Sequence, residues 1–199
     1  YKIKEIYFNL ERCLSLNNNT NTHFLVAPRI KDTVKISLNI LKKTKGKILI
    51  EKPISTQIND IKKLKTYSTR IFVGYNRLFY SNVNYLKEMF TKQNKKMFCY
   101  CSLPEKSETH VITNTCHTIS ILFFLFGDLR IVFTKKTNKY LFSYIKSKKC
   151  EIFIKIYFNA FENFKIDINT QRMFYKFNTI EKLEIYNGLK VKKFNQYKT

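Results

Sequence analysis

The sequence predicts an α/β unit followed by a strand-rich α+β unit. Three observations carry that prediction. Between His23 and Phe90, short apolar runs alternate with stretches of helical spacing, the pattern of parallel strands joined by right-handed crossovers. After Lys95 the spacing changes to a period of two, which suits a mostly antiparallel sheet, packed on one face and open on the other. Of the 199 residues, 44% are hydrophobic, enough for a packed core and too many for a disordered chain.

The elements follow in order. Residues 23–27 (HFLVA), ended by Pro28, read as a buried strand. The next stretch reads two ways: Val34, Ile36, Leu38 and Ile40 alternate, whereas Val34, Leu38 and Leu41 keep helical spacing. Lys42, Lys43 and Lys45 before Gly46 form a helix stop, with cations at the negative end and a residue free to turn left-handed, so a helix is expected. Residues 47–51 (KILIE) are a second buried strand, and Ser55 or Thr56 caps a helix that turns Ile58, Ile61 and Leu64 to one side. Residues 70–73 form a third strand closed by Gly74. Ser81 caps a helix with Val83, Leu86 and Phe90 inward. Residues 97–103 are a strand, and residues 115–126 one helix ended by Gly127. Strands are then expected over residues 129–134, 140–145, 151–159, 163–169, 173–177 and 182–186, separated by polar turns such as Asn187-Gly188. The change of pattern near Asn76 predicts two domains, residues 1–76 and 77–199. There is no internal repeat.

Lys and Arg number 37 and Asp and Glu 14, a formal charge of +23. That suggests a polyanionic partner. However, Lys, Asn, Ile, Phe and Tyr are abundant while Gly, Pro and Trp number 4, 3 and 0, the composition an A/T-biased genome yields for any function. The lysines are dispersed along the chain rather than clustered, so no nucleic acid is expected as a partner. There are 5 cysteines and no CxxC. Cys99 and Cys101 lie two apart in a strand and cannot easily build a zinc knuckle, so no metal is expected. Reduced thiols suit a cytoplasmic location. The longest strongly apolar run, residues 119–126, is far short of the ~20 residues a membrane span needs.

Neither GxGxxG nor GxxxxGK[ST] occurs, and Gly46, Gly74, Gly127 and Gly188 are too scattered to cradle a phosphate. The informative segment is Ile48-Leu49-Ile50-Glu51-Lys52-Pro53. Ligands of open α/β sheets bind beyond the carboxyl ends of the strands, where Lys52 would project, aimed by Pro53 and held by Glu51. On spacing alone, a strand end followed by a helix start, with an ordinary surface lysine, is the better explanation of the segment.

Ala27-Pro28, then residues 45–55 with Glu51-Lys52-Pro53, then Gly74-Tyr75-Asn76-Arg77, then Asn114-Thr115-Cys116-His117 and Phe126-Gly127-Asp128 resemble, in order, the glucose–fructose oxidoreductase, inositol dehydrogenase and MocA family. The resemblance implies a partial doubly wound, Rossmann-like parallel sheet with its first βαβ missing, followed by an open-faced substrate domain. It implies NAD or NADP as cofactor and a small-molecule sugar or polyol as substrate. Ala27, Pro28, Glu51, Lys52 and Pro53 would then lie against the cofactor, with the Lys52–Pro53 bond cis. Lys52 and His117 would be catalytic, His117 taking the hydroxyl proton as hydride leaves. Asn76, Arg77, Thr113 and Asn114 would meet the substrate. Without the resemblance, His117 reads as a hydrogen-bonded core histidine.

The sequence departs from the family where carboxylates are common: Thr113 stands four residues before His117, Ser120 three after, and Asp32 in the region where a histidine commonly follows the proline. Asn114-Thr115 resembles a branch associated with surface-polysaccharide biosynthesis, which implies a nucleotide-linked sugar. The resemblance also implies a strand, a Gly-rich turn and a helix, about 30 residues, ahead of Tyr1; either this sequence is truncated or this copy has lost turnover. The alternatives are a degenerate, non-catalytic subunit of the same fold and, more remotely, a basic nucleic-acid-binding protein. The exposed face of the C-terminal sheet suits a homodimer or tetramer.

Overall fold

The structure, a computed structural model, describes residues 9–17, 21–159 and 163–195. The chain forms two compact units, Tyr1–Tyr75 and Asn76–Thr199.

The first unit holds a parallel sheet in the order β1 (Phe24–Val26), β2 (Ile48–Ile50), β3 (Ile71–Val73). Helices α1 (Leu10–Leu16), α2 (Ile30–Lys43) and α3 (Ile58–Leu64) accompany it. The stretch that read two ways is helical: Thr33, Val34, Ser37, Ile40 and Leu41 of α2 are buried, the i, i+3, i+4 stripe of an amphipathic helix. Helix α1 had no counterpart in the sequence reading. The buried strand residues Val26, Ile48 and Ile50 pack with Leu14, Val34, Ile40, Leu41 and Leu64 from the three helices.

Several local expectations are corrected. Helix α2 ends at Thr44, whose hydroxyl donates to the Ile40 carbonyl (2.9 Å), so Gly46 is not its stop. Gly46 is instead a close approach, since a Cβ there would run into the Thr22 carbonyl oxygen. Ser55 does not cap α3. Its hydroxyl accepts the Gln57 N–H (3.0 Å), and Gln57 precedes the helix without a side-chain cap. Ser81 is the first residue of its helix rather than the cap. On α3 only Leu64 is buried, while Ile58 and Ile61 are exposed. The strands of this unit are not buried on both sides. Leu25, Leu49 and Phe72 stand in register and are all exposed, because the packed helices of the described residues cover the alternate row.

The second unit is an eight-stranded sheet with helices α4 (Ser81–Thr91), α5 (Glu108–His110) and α6 (Cys116–Phe126). Its strands are β4 (Met97–Glu105), β5 (Arg130–Lys136), β6 (Tyr140–Lys146), β7 (Cys150–Phe158), β8 (Lys165–Asn169), β9 (Phe174–Thr179), β10 (Lys182–Asn187) and β11 (Lys190–Asn195). They run in the order β11-β10-β9-β8-β4-β7-β6-β5. The sheet is mostly antiparallel, as expected, but its central pair β4–β7 is parallel. Strand β11 is an addition to the expected set. Alternation sorts the two faces. Met97, Cys99, Cys101 and Leu103 of β4 and Ile152, Ile154 and Ile156 of β7 join Leu86, Phe90, Leu122 and Phe126 of the helices in one core. Phe90 lies at its centre, stacked on Phe126 (5.7 Å) and edge-on to Tyr175 (5.1 Å). The other face carries the row Tyr144–Phe153–Tyr100–Asp167–Lys176–Glu184–Lys193. Gly127, at φ 80°, ends α6 in the left-handed region.

Gly46→Ala is expected to lower stability by about 1–3 kcal/mol, the usual cost of forcing extra volume into a filled site. Urea denaturation of the two proteins checks this.

Candidate functional site

A mismatch in strand length creates a cavity in the second unit. Strand β4 pairs with β7 along Met97–Glu105, but with β8 only from Phe98 to Ser102. Leu103, Pro104 and Glu105 therefore run past the end of β8. Pro104, with no N–H to offer a neighbour, is tolerated in such a stretch. The space beside it is a cavity of about 170 Å³. Arg77, Glu105, Asn114, Thr115 and Thr118 supply its polar wall, and Leu103, Pro104, Phe164 and Ile180 its apolar one.

Glu105 organises the polar wall. It continues the alternation of Cys99, Cys101 and Leu103 and so points to the packed face, where it is 7% exposed. A carboxylate there is costly unless its oxygens find donors. Thr115 Oγ1 donates to Oε1 (2.8 Å) and Asn114 Nδ2 to Oε2 (3.1 Å). Both donors come from a widened π turn, Val111–Thr115, that leads into α6, a departure from α geometry often found at functional sites. Thr118, 2% exposed, follows Asn114 by four residues and shares its helix face. Arg77 enters from the short helical turn Asn76–Phe79. It is half-buried, and among the described residues no ion pair engages its guanidinium.

Of the residues singled out from the sequence, Arg77 and Asn114 line this cavity, whereas Asn76 and Thr113 do not. His117, 6% exposed, lies in the first turn of α6 and is not among the lining residues. The hydroxyls of Thr113 and Ser120 are turned to the backbone. Thr113 donates to the His110 carbonyl (3.1 Å) and Ser120 to the His117 carbonyl (2.7 Å). Asp32 sits in the first turn of α2, where a carboxylate complements the helix dipole. Glu105, Thr118, Phe164 and Ile180 were not singled out. The sequence reading ended the strand at residue 103; carrying its period of two on to residue 105 would have placed Glu105 inside, whereas nothing in the sequence pointed to Phe164 or Ile180.

In the first unit, Ala27, Glu51 and Gly74 directly follow Val26, Ile50 and Val73, which stand in register. The Glu51 N–H donates to the Val26 carbonyl (2.9 Å) and the Gly74 N–H to that of Ile50 (2.8 Å). A Cβ at Gly74 would stand 3.1 Å from Glu51 Oε2, so glycine leaves that carboxylate its place. Lys52 and Pro53 are half-buried and the bond between them is cis. This ridge lies at the carboxyl ends of parallel strands, where open α/β sheets bind ligands such as dinucleotides. The pyrophosphate end finds no glycine-rich cradle among these residues.

No family model and no curated protein matches the sequence. Solved structures do match the fold. An oxidoreductase from Thermotoga maritima gives a TM-score of 0.75 at 14% identity, over 96% of this chain and 68% of that one. The UDP-N-acetylglucosamine 3-dehydrogenase of Acidithiobacillus ferrooxidans gives 0.71 at 12%, over 98% and 69%. An oxidoreductase from Agrobacterium radiobacter, solved with NAD+, L-tartaric acid and magnesium, gives 0.70 at 12%, over 98% and 66%. The chain thus has the fold of these oxidoreductases, a Rossmann-like parallel sheet with an open-faced sheet unit, and spans about two thirds of their length.

Among the described residues no three His, Cys, Asp or Glu side chains group as metal ligands, and no helix is long and apolar enough to cross a membrane. Thiol chemistry has little footing in the core. Burial pushes the Cys99 thiol well up, reinforced by Cys101 at 3.8 Å, and pushes Cys150 up likewise. A buried neutral thiol is a poor nucleophile. Brief alkylation of the native protein at neutral pH is expected to label Cys13 and Cys116, both partly exposed, and to spare Cys99, Cys101 and Cys150. Peptide mass spectrometry reads the pattern.

Proposed function

We propose that the chain belongs to an NAD(P)-dependent oxidoreductase acting on an alcohol of a sugar, polyol or nucleotide-linked sugar. The observation that carries this reading is the cavity beside Glu105. It joins a cation, a carboxylate, an amide and two hydroxyls to an apolar wall containing Phe164, and a hydroxylated ring with one C–H face needs both kinds of wall. The shared fold supports the redox class: one neighbour was solved with NAD+ and another is named as a UDP-sugar dehydrogenase.

In this reading residues 1–76 hold the cofactor and residues 77–199 the substrate. A bound nicotinamide cofactor would supply the hydride acceptor. Lys52, with Ala27, Pro28, Glu51 and Pro53, meets the nicotinamide ribose. Arg77 and Asn114 hold substrate hydroxyls, with Asn76 and Thr113 as outer contacts; His117, which does not line the cavity, is assigned the hydroxyl proton by the resemblance alone. Asn114-Thr115 favours a nucleotide-linked sugar and a role in surface-polysaccharide biosynthesis. All five cysteines are free, as a reducing cytoplasm leaves them. The aromatic row Tyr144, Phe153 and Tyr100 on the open sheet face is proposed to pair with a second copy; Phe153 stacks on Tyr144 at 4.6 Å.

One observation favours a second reading, the non-catalytic relative. The hydroxyls of Thr113 and Ser120 are committed to backbone carbonyls, so neither position supplies the carboxylate that would assist a histidine base.

Kinetics of the full-length protein with NAD(P) and a sugar panel separate the two readings. His117→Ala is expected to lower kcat by about 10²–10⁴-fold, the range of a general base. Turnover that His117→Ala and Lys52→Ala both leave unchanged would contradict the catalytic assignment. For the assembly, Phe153→Lys is expected to shift the protein to monomer in sedimentation velocity while leaving its melting transition cooperative.

A further inference from the structure

The cavity also carries information about which ring it takes. We propose that Glu105 is a specificity-determining residue, setting the pocket for an uncharged polyhydroxyl ring and against the same ring bearing a carboxylate. The inference rests on the reading of this cavity as a sugar subsite.

Overall charge points the other way. At +23 the chain attracts anions from a distance, and Arg77 alone would draw an anion into the cavity. Glu105 reverses that locally. A cavity of about 170 Å³ is about 7 Å across if spherical, inside a Debye length, so any charge placed in it feels both Arg77 and Glu105. The two cancel, and an anionic ligand would leave the site with an uncompensated negative charge.

The hydrogen-bonding inventory agrees. Each Glu105 oxygen accepts one bond, from Thr115 or Asn114, and each has a further lone pair to offer. Arg77 and the second amide N–H of Asn114 donate. A hydroxyl donates and accepts, so a diol satisfies Glu105 and Arg77 together. A carboxylate oxygen only accepts, and would set anion against anion at Glu105. Phe164 and Ile180 on the opposite wall suit the C–H face of a ring and offer a charged substituent nothing.

The test measures binding of methyl hexosides and the corresponding hexuronates to the whole chain by ligand-observed NMR. The wild type is expected to bind at least one neutral hexoside and to bind its uronate at least about tenfold more weakly, since like-charge juxtaposition is a strong device against wrong partners. Glu105→Gln keeps the shape and removes the charge, and is expected to abolish that preference. Thr115→Val removes a donor and keeps the charge, and is expected to retain it; a purely structural Glu105 would make both variants lose affinity with the ratio unmoved. Equal binding of the two ligand classes by wild type, binding of neither, or an unchanged ratio in a folded Glu105→Gln would overturn the inference. A neutral preference without any NAD(P)-linked turnover would remove the oxidoreductase reading and leave this one standing.

Discussion

A carboxylate taken out of water must recover its hydrogen bonds from the protein, and Glu105 imposes that requirement on everything around it. At 7% exposure its oxygens depend on Asn114 and Thr115. Those two donors lie on the widened turn that starts α6, so the carboxylate ties the end of the central strand to the start of the helix. Removing one partner of such a group leaves a buried charge short of donors, which costs more than the bond itself contributes. The same tie aims Asn114 at the cavity and places His117 in the turn that follows.

Local arrangement overrides bulk composition in this protein. A net charge of +23 gives no indication that a cavity would hold one cation and one anion. The exposed sheet face shows the same principle: Lys165 pairs with Asp167 and Lys193 with Glu184, while Lys155 lies over the rings of Tyr140 and Tyr157. Exposed pairs of this kind contribute little individually, but they spread positive charge among acids and aromatic rings rather than gather it into one patch.

Much of the fold was legible in the sequence because period and punctuation are local signals. Residues 48–53 announced a strand that ends in Glu51, Lys52 and Pro53, and the alternation of Ile152, Ile154 and Ile156 announced a sheet packed on one side. What stayed hidden depended on tertiary placement. Gly46 read as a helix stop, and only the Thr22 carbonyl shows that it is a close approach. The exposed row Leu25, Leu49 and Phe72 looked like core, since three-residue strands are too short to display an alternation. The site divides along the same line. Arg77 and Asn114 were found through short words in the sequence. Glu105 was missed because it becomes a site residue only where β4 outruns β8, and Phe164 and Ile180 because their part in the cavity depends on pairings far along the chain.

The central claim is that a sugar ring sits in the cavity with its hydroxyls on Glu105, Asn114 and Arg77 and its C–H face on Phe164. The most direct measurement is an NMR titration of the chain, labelled at Phe and Ile, with a sugar that binds it. The account predicts saturable shifts at Phe164 and Ile180 and intermolecular NOEs from the Phe164 ring to the sugar C–H protons. Shifts confined to residues outside this cavity, with Phe164 and Ile180 silent, would contradict it.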